Sequence, residues 1–125
     1  MSNAQKLWKR AKSIIPGGNG LFSKRPTLFS PNTWPTYYSS ASGITIKDIS
    51  GKYYKDFMMA VGANTLGYCD PYVNEKVAEA IKSSTMTTLN NPTEIFLAEK
   101  LVELHPWAEC VKFARTGGEA NAIAI

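Results

Sequence analysis

The chain has 125 residues, of which 44% are hydrophobic and 19% are charged, and its net charge is +4. This length suits one ordinary domain, and so few charges among so many apolar residues exclude a disordered chain and allow a buried core. No apolar run approaches the roughly 20 residues that span a bilayer, and the basic residues lack the interleaved aromatics of a nucleic-acid surface, so we expect neither a membrane nor a nucleic-acid partner.

The first half of the chain predicts a helix, a long loop and a β-hairpin. Apolar residues recur at helical spacing over 3–15, and a Pro-Gly-Gly sequence ends that helix. Residues 16–43 are rich in proline and predict a long ordered loop. The alternating residues 44–49, a Ser-Gly turn and the returning residues 52–57 predict the hairpin. Residues 58–67 are apolar, small and interrupted by glycine, which predicts a buried loop.

Two capped helices are predicted next. Asp70 is the expected N-cap of the first, with Pro71 at the first helical position. Asn91 is the expected N-cap of the second, with Pro92 at its first position. Glu94 stands three residues after that cap, as in a capping box. Both helices carry apolar residues at helical spacing, which predicts one buried face on each.

The end of the chain predicts a strand, a tight link and a last helix. Residues 110–114 have the pattern of a short strand, and the last helix is expected to start near Glu119. Residues 122–125 are apolar and carry no helix stop signal. We therefore expect this sequence to be a piece of a longer protein.

The cysteines and the first residues bear on the cellular compartment. Cys69 and Cys110 match no metal or redox spacing, so we expect no metal site. Unpaired cysteines are typical of a reducing setting, and the start of the chain lacks the apolar segment of a secretory signal. These features together predict a cytoplasmic protein.

The segment with the clearest chemical meaning is Thr-Gly-Gly-Glu at 116–119, between a predicted strand and a predicted helix. The amides of Gly117 and Gly118 at a helix start, with the positive end of the helix dipole, can bind a phosphate, and the hydroxyl of Thr116 can add a donor. A purely structural interpretation stays open. Thr116 and Glu119 are spaced as a capping box, with Glu119 bonding back to the Thr116 amide, and the glycines can serve close packing.

Several motifs, in order along the chain, resemble those of a known enzyme family. They are WKRAKSIIPGG at 8–18, DISGKYYKDF at 48–57, LGYCDP at 66–71, PTEIFLAEKL at 92–101 and FARTGGEA at 113–120. In this set the chain resembles the class III family of pyridoxal-phosphate-dependent aminotransferases, and within it the aminomutase members. The resemblance covers nearly the whole chain but only about the first third of a family member.

The chain departs from the aminomutase pattern at several positions. Thr116 and Gly118 stand where those members usually have Ser and Thr, which removes one side-chain contact to a phosphate. Tyr68 replaces a common His, and Val61 falls where Trp is usual. The substrate-binding arginine after the Pro-Gly-Gly sequence has its nearest counterpart in Arg25, one residue out of step.

The resemblance implies a fold, a division of the chain and an assembly. The fold is the α/β fold type I of pyridoxal-phosphate-dependent transferases. Residues 1–67 would form an N-terminal α+β segment, and residues 68–125 the truncated start of the large cofactor-binding domain. Family members are homodimers, so we expect the loop over 16–43 to pack on a second subunit.

The resemblance also implies an activity. Pyridoxal 5'-phosphate would be held by Thr116, Gly117 and Gly118, with Arg25 binding the substrate, which is a small-molecule amino-group donor or acceptor. The Schiff-base lysine and the aspartate that pairs with the pyridine nitrogen fall beyond residue 125 in the family pattern. We therefore assign no catalytic residue and expect this piece alone to be inactive. The alternative is a non-catalytic phosphate-binding or interaction module.

Overall fold

An amphipathic helix begins the structure. In this computed structural model, which describes residues 2–125, helix α1 spans Asn3–Ile14. The Ser2 hydroxyl accepts the Gln5 amide at 3.2 Å, and the Gln5 side chain accepts the Ser2 amide at 2.8 Å. This capping box satisfies amide donors that a helix start otherwise leaves unpaired. The helix predicted over 3–15 is confirmed, with its end one residue earlier.

The chain leaves α1 through a 3₁₀ turn at Pro16–Gly18, in which Gly17 and Gly18 have φ of 77° and 83°. Glycine occupies such positive φ without the steric cost that a Cβ brings. Gly18 also lies under the Trp8 ring, since a Cβ built on it would come 2.5 Å from Trp8 Cη2. Two further 3₁₀ turns follow, at Phe22–Lys24 and Pro26–Leu28.

A three-stranded antiparallel sheet comes next, in the order β1-β2-β3. Strand β1 is Tyr38–Ser42, β2 is Thr45–Asp48 and β3 is Tyr53–Lys55. The predicted hairpin of β2 and β3 is confirmed. The prediction of a loop over all of 16–43 is wrong at its end, because β1 pairs with β2 there, with an irregularity between Tyr38 and Ser40. Its sequence, Tyr-Ser-Ser-Ala-Ser, has little apolar alternation to indicate a strand.

A buried carboxylate closes the turn between β2 and β3. Asp48 is 8% exposed. Its Oδ1 accepts the Ser50 hydroxyl at 2.6 Å, the Ser50 amide at 2.8 Å and the Lys52 amide at 2.9 Å. Its Oδ2 accepts the Tyr54 hydroxyl at 3.2 Å. The Ser50 hydroxyl and the two amides favour the ionised form and hold the pKa of Asp48 below its usual 3.8.

Helix α2 spans Pro71–Ser83, and α3 spans Thr93–Leu104. Asp70 Oδ1 accepts the Val73 amide at 2.9 Å, so the predicted cap of α2 is confirmed. Helix α3 begins one residue later than predicted, at Thr93. Asn91 Oδ1 accepts the Thr93 amide at 2.9 Å, which stabilises the turn before the helix. Helix α4 spans Gly117–Ala124.

Two predicted features of the second half are wrong. Residues 110–114 form no strand, because no strand among residues 2–125 supplies a hydrogen-bonded partner. The loop over 58–67 is not buried, since Val61 is 76% and Leu66 73% exposed. Both predictions rested on apolar local sequence, which indicates what a segment can pack against but not whether that surface is present.

The chain divides into two compact units, the first ending at Glu79 and the second comprising Ala80–Ile125. Apart from Pro26, none of the apolar side chains in the described part of the chain is fully buried. Ile81 of α2 and Leu97 of α3, two of the apolar residues at helical spacing on the faces predicted to be buried, are 58% and 50% exposed. The predicted apolar faces of α2 and α3 are therefore present but exposed in the described residues. No described helix is both long enough and apolar enough to cross a membrane.

We expect Asp48→Ala to lower the melting temperature of the full-length protein at pH 7, because four donors lose their acceptor. Since folding lowers the pKa of Asp48, its contribution is complete above pH 3.8 and is lost as the pH falls through the folded-state pKa. Thermal melts at pH 7 and in steps below pH 4 measure the difference between wild type and variant. Glu75→Ala, which removes an exposed carboxylate, is the control. A difference that stays constant across this pH range would contradict the prediction.

Candidate functional site

The start of α4 carries the predicted phosphate-binding residues. Thr116 is extended, with φ −141° and ψ 158°, and serves as N-cap. Its hydroxyl oxygen accepts the Glu119 amide at 3.2 Å. The helix begins at Gly117, two residues before the predicted start near Glu119. Thr116, Gly117 and Gly118 therefore lie together at one helix start.

Neither glycine is explained by packing or by backbone conformation within the described chain. A Cβ built on Gly117 would meet no heavy atom within 4 Å, and one on Gly118 would meet only the Thr116 hydroxyl oxygen, at 3.9 Å. Neither residue has a positive φ. Their amides also donate to no acceptor among residues 2–125. The helix start thus presents two unpaired N–H donors beside open space.

The carboxylate of Glu119 bonds to a different partner from the one expected. It accepts the Arg115 amide at 2.9 Å and the Arg115 Nη2 at 2.6 Å, rather than the Thr116 amide. The expectation of a reciprocal capping box is therefore wrong in its second half. The guanidinium explains the difference, because a bidentate charged donor competes well against one neutral amide. Hydrogen bonds from the Arg115 side chain and amide lower the pKa of Glu119.

Arg25, the predicted substrate-binding residue, lies in the first unit after the 3₁₀ turn at Phe22–Lys24. Its guanidinium carbon is 4.9 Å from the centre of the Phe22 ring. Its Nε is buried and has no hydrogen-bond partner. The ion pairs found in the described part of the chain do not include Arg25. The guanidinium is therefore held in place with donor capacity unused.

The segment after the hairpin has a conformation that sequence reasoning missed. Met59, Ala60 and Val61 have φ of 44°, 53° and 60°, and Gly62 continues with 84°. Each left-handed residue other than glycine costs about 1–2 kcal/mol. Backbone strain of this kind concentrates at functional sites. Gly62 was the only local signal, and one glycine does not predict a run of left-handed residues.

A short hydrogen bond fastens this left-handed turn. Asp56 Oδ1 accepts the amides of Met58 and Met59 at 2.8 and 3.3 Å, and Asp56 Oδ2 accepts the Tyr68 hydroxyl at 2.5 Å. The hydrogen bond from Tyr68 contributes most to lowering the pKa of Asp56. The same bond raises the pKa of the Tyr68 hydroxyl. Tyr68, noted in the sequence only as a departure from the family pattern, thus closes the segment.

Neither thiols nor carboxylates assemble a metal site here. In residues 2–125 no group of three or more His, Cys, Asp or Glu side chains could hold a metal ion. Cys69 and Cys110 are both exposed and free. Each unit carries its own candidate residues: the second unit has the α4 helix start, and the first has Arg25 and the left-handed turn.

Comparison with known proteins places the chain in a family. A family model described as Aminotransferase class-III matches residues 29–125. The chain is 37% identical over 122 residues to a glutamate-1-semialdehyde 2,1-aminomutase of Leptospira interrogans, covering 98% of this chain and 27% of that protein. It is 30% identical to a 3-aminobutyryl-CoA aminotransferase of Cloacimonas acidaminovorans, covering 30% of that protein. The chain thus spans less than a third of the length of these curated relatives.

Solved structures agree with this result. An ω-transaminase from Sphaerobacter thermophilus matches with a TM-score of 0.84 and 34% identity, over 99% of this chain and 27% of that one. A transaminase with PLP bound matches with a TM-score of 0.81 and 28% identity, over 99% of this chain and 29% of that one. These similarities confirm the predicted α/β fold of pyridoxal-phosphate-dependent transferases for the portion that this chain represents.

We expect Tyr68→Phe to destabilise the full-length protein by about 1 kcal/mol, because Asp56 loses a charge-assisted hydrogen bond. Since folding lowers the pKa of Asp56, the effect is complete above pH 3.8 and fades as the pH falls through the folded-state pKa. Denaturant unfolding at pH 7 and near pH 3 measures it. Tyr53→Phe is the matched control, because Tyr53 is 64% exposed. Equal effects of the two substitutions would show that Tyr68 does not fasten the turn.

Proposed function

This chain belongs to the class-III aminotransferase family, and from that premise we propose that it supplies the phosphate-binding helix start of a pyridoxal-phosphate enzyme that transfers amino groups. The observation that carries the proposal is the pair of unpaired amides at Gly117 and Gly118, beside space that a Cβ would enter. The proposal covers both aminotransferase and aminomutase activity, since both move an amino group between cofactor and substrate.

The residues at the start of α4 fit a phosphate. A phosphate ester carries about −1.5 to −2 charges near neutral pH and offers three acceptor oxygens. The amides of Gly117 and Gly118 would donate to it, supported by the helix dipole. The Thr116 oxygen already accepts the Glu119 amide, so its own proton remains free to donate. Pairing of Glu119 with Arg115 offsets a negative charge that would otherwise repel the anion.

Pyridoxal phosphate, when bound, supplies an electron-withdrawing ring that labilises bonds at the amino-bearing carbon. Within this chain we assign residues that bind and orient, and none that moves a proton. The described lysines are exposed except Lys47, which is half-buried. By the family resemblance we place the catalytic lysine and the ring-pairing aspartate in sequence beyond residue 125. The 125 residues alone would then be inactive, and we place their domain boundary near residues 67 and 68.

Arg25 is our candidate for binding the substrate of this enzyme. Its buried, unpaired Nε and its lack of a carboxylate partner within residues 2–125 suit recognition of an anionic group. A guanidinium matches a carboxylate in geometry, because two parallel N–H donors meet two oxygens. We therefore propose a small-molecule amine donor or acceptor that carries a carboxylate.

The segment over 16–37, which precedes β1, supports a proposed homodimer. Phe29 and Trp34 stack with ring centres 4.2 Å apart and an interplanar angle of 13°. Contiguous apolar surface of this kind marks an interaction site. The family resemblance indicates that this partner is a second subunit of the same protein. We also propose that the enzyme is cytoplasmic. The exposed large apolar side chains of the loop are Leu21, Phe22, Leu28, Phe29 and Trp34.

Sedimentation of the full-length protein is expected to give a dimer, and Phe29→Asp is expected to shift it toward monomer, because a charge would be buried in the interface. Ser23→Asp is the matched control, since it adds the same charge at an exposed polar position of the same loop. Sedimentation velocity across a range of concentrations distinguishes the species. A stable, active monomeric wild type would contradict the proposed assembly.

Gly118→Val in the full-length protein is expected to weaken pyridoxal phosphate binding by about 1–3 kcal/mol, because the side chain crowds hydrogen bonds to a charged group. The fold should survive, since a Cβ there meets only the Thr116 oxygen at 3.9 Å. Glu119→Gln should cost less, because it removes a charge but no phosphate donor. Cofactor titration followed by absorbance measures all three proteins.

The outcomes of this titration separate the alternatives. Unchanged affinity in Gly118→Val, with an unchanged melting temperature, would place the phosphate elsewhere and leave the glycines to packing. Binding of inorganic phosphate by a wild type that takes up no pyridoxal phosphate would support a non-catalytic phosphate-binding module instead.

A further inference from the structure

We propose that Gly17 is a positioning residue for substrate recognition, because its missing side chain lets the Arg25 guanidinium lie against the Pro16–Gly18 turn. The proposal rests on the function proposed above for Arg25. It assigns a role to a residue that touches neither substrate nor cofactor. Gly17 would act only through the arginine, by deciding where the guanidinium can lie.

A side chain at Gly17 would displace the Arg25 guanidinium from its position in this structure. A Cβ built on Gly17 would collide with Arg25 Nη2, come within 2.9 Å of Cζ and within 3.3 Å of Nε. Contacts below 3.0 Å require one of the two groups to move. The guanidinium therefore occupies the volume that a side chain at this position would need. Gly17 also has a φ of 77°, so its backbone independently favours glycine.

Local backbone structure brings Arg25 to this place. The 3₁₀ turn at Phe22–Lys24 ends with the Arg25 amide donating to the Phe22 carbonyl at 3.1 Å. This turn sets the Phe22 ring 4.9 Å from the guanidinium carbon, within cation–π range. Pro26, which follows, is fully buried and fixes the chain on the other side. The guanidinium thus has two supports, the Gly17 backbone and the Phe22 ring.

Neither support satisfies the hydrogen-bonding capacity of the guanidinium. The Arg25 Nε is buried without a hydrogen-bond partner among residues 2–125, which costs free energy. Each ion pair found among residues 2–125 joins neighbours on a helix or at its start, and none involves Arg25. A guanidinium that is fixed in position and lacks an internal anion is suited to bind one from outside.

The neighbouring glycines separate this role from a purely structural one. Gly18 has nearly the same φ, 83°, but its missing side chain makes room for Trp8 rather than Arg25. Gly20 has an ordinary φ, and a Cβ there meets nothing within 4 Å. Gly18→Ala therefore matches the backbone strain of Gly17→Ala without touching the arginine, and Gly20→Ala matches the chemical change alone.

The test uses the full-length holoenzyme and two amines, 3-aminobutyrate and 2-aminobutane, of which the second has a methyl group in place of the carboxylate. The readout is the absorbance change of the bound cofactor on amination, fitted for a half-saturating concentration and a limiting rate. We expect Gly17→Ala to raise the half-saturating concentration for 3-aminobutyrate about tenfold, with a limiting rate within about twofold of wild type. In Gly17→Ala the values for 2-aminobutane should stay unchanged. Gly20→Ala should leave the values for both amines unchanged.

Gly18→Ala should lower the melting temperature while leaving the ratio of the two half-saturating concentrations as in wild type. In an Arg25→Ala background, Gly17→Ala should no longer change that ratio, because there is no guanidinium to displace. Gly17→Ala should also lower the melting temperature less in the Arg25→Ala background than in wild type.

The outcomes distinguish this inference from the proposed function. Failure of the full-length protein to bind pyridoxal phosphate, or of both amines to react, would overturn the proposed function and the inference with it. Equal half-saturating concentrations of the two amines in wild type would overturn the role of Arg25. A wild type that prefers 3-aminobutyrate, with Gly17→Ala affecting both amines alike or neither, would overturn the positioning role alone.

Discussion

The carboxylate of Asp48 closes the turn between β2 and β3 by accepting four hydrogen bonds, and the first unit repeats this device at its later turns. Asp56 accepts two amides and the Tyr68 hydroxyl, and Asp70 accepts an amide at the start of α2. A carboxylate that accepts several donors is strongly favoured in its ionised form, as the lowered pKa of Asp48 and of Asp56 indicates. Because Pro26 is the only apolar side chain in the described residues that is fully buried, these local bonds carry much of the order in the unit.

Glycines in this chain serve different purposes, which the local geometry separates. Gly18 admits a neighbouring ring, and Gly67 brings its backbone close to that of Gly43, where a Cβ would come 3.2 Å from the Gly43 Cα. Packing explains both. Gly117 and Gly118 have neither crowded surroundings nor a positive φ, so neither of these geometric reasons applies to them. That contrast is why the same residue type supports a ligand interpretation at α4 and a packing interpretation elsewhere.

The helices of this chain expose apolar residues, and the chain spans less than a third of the length of its relatives. The chain covers 27% of its aminomutase relative from Leptospira interrogans and 27% of the transaminase from Sphaerobacter thermophilus. In each helix of the described chain, apolar residues lie on the surface. Burying apolar surface of this kind against another surface, away from water, is favourable in free energy. The proposed second subunit would cover the apolar segment over 16–37 in this way.

The sequence by itself determined the features that depend on neighbouring residues. Asp70 before Pro71 placed the start of α2, the alternation around a Ser-Gly turn placed the hairpin, and ordered motifs placed the family. Thr116 was recognised as a cap for the same reason, since its hydroxyl reaches an amide only three residues away.

Only the tertiary structure decided the features that depend on a hydrogen-bonding partner distant in sequence, or on which of two possible partners a group binds. Strand β1 exists because β2 accepts it, and residues 110–114 remain without a strand because no described strand pairs with them. The partner of Glu119 was decided by the Arg115 guanidinium, and Asp56, which caps the left-handed run from Met59, is paired with Tyr68, twelve residues later. The physical reason is that caps and turns are satisfied within a few residues. Strand pairing and charged hydrogen bonds depend on which groups the fold brings together in space.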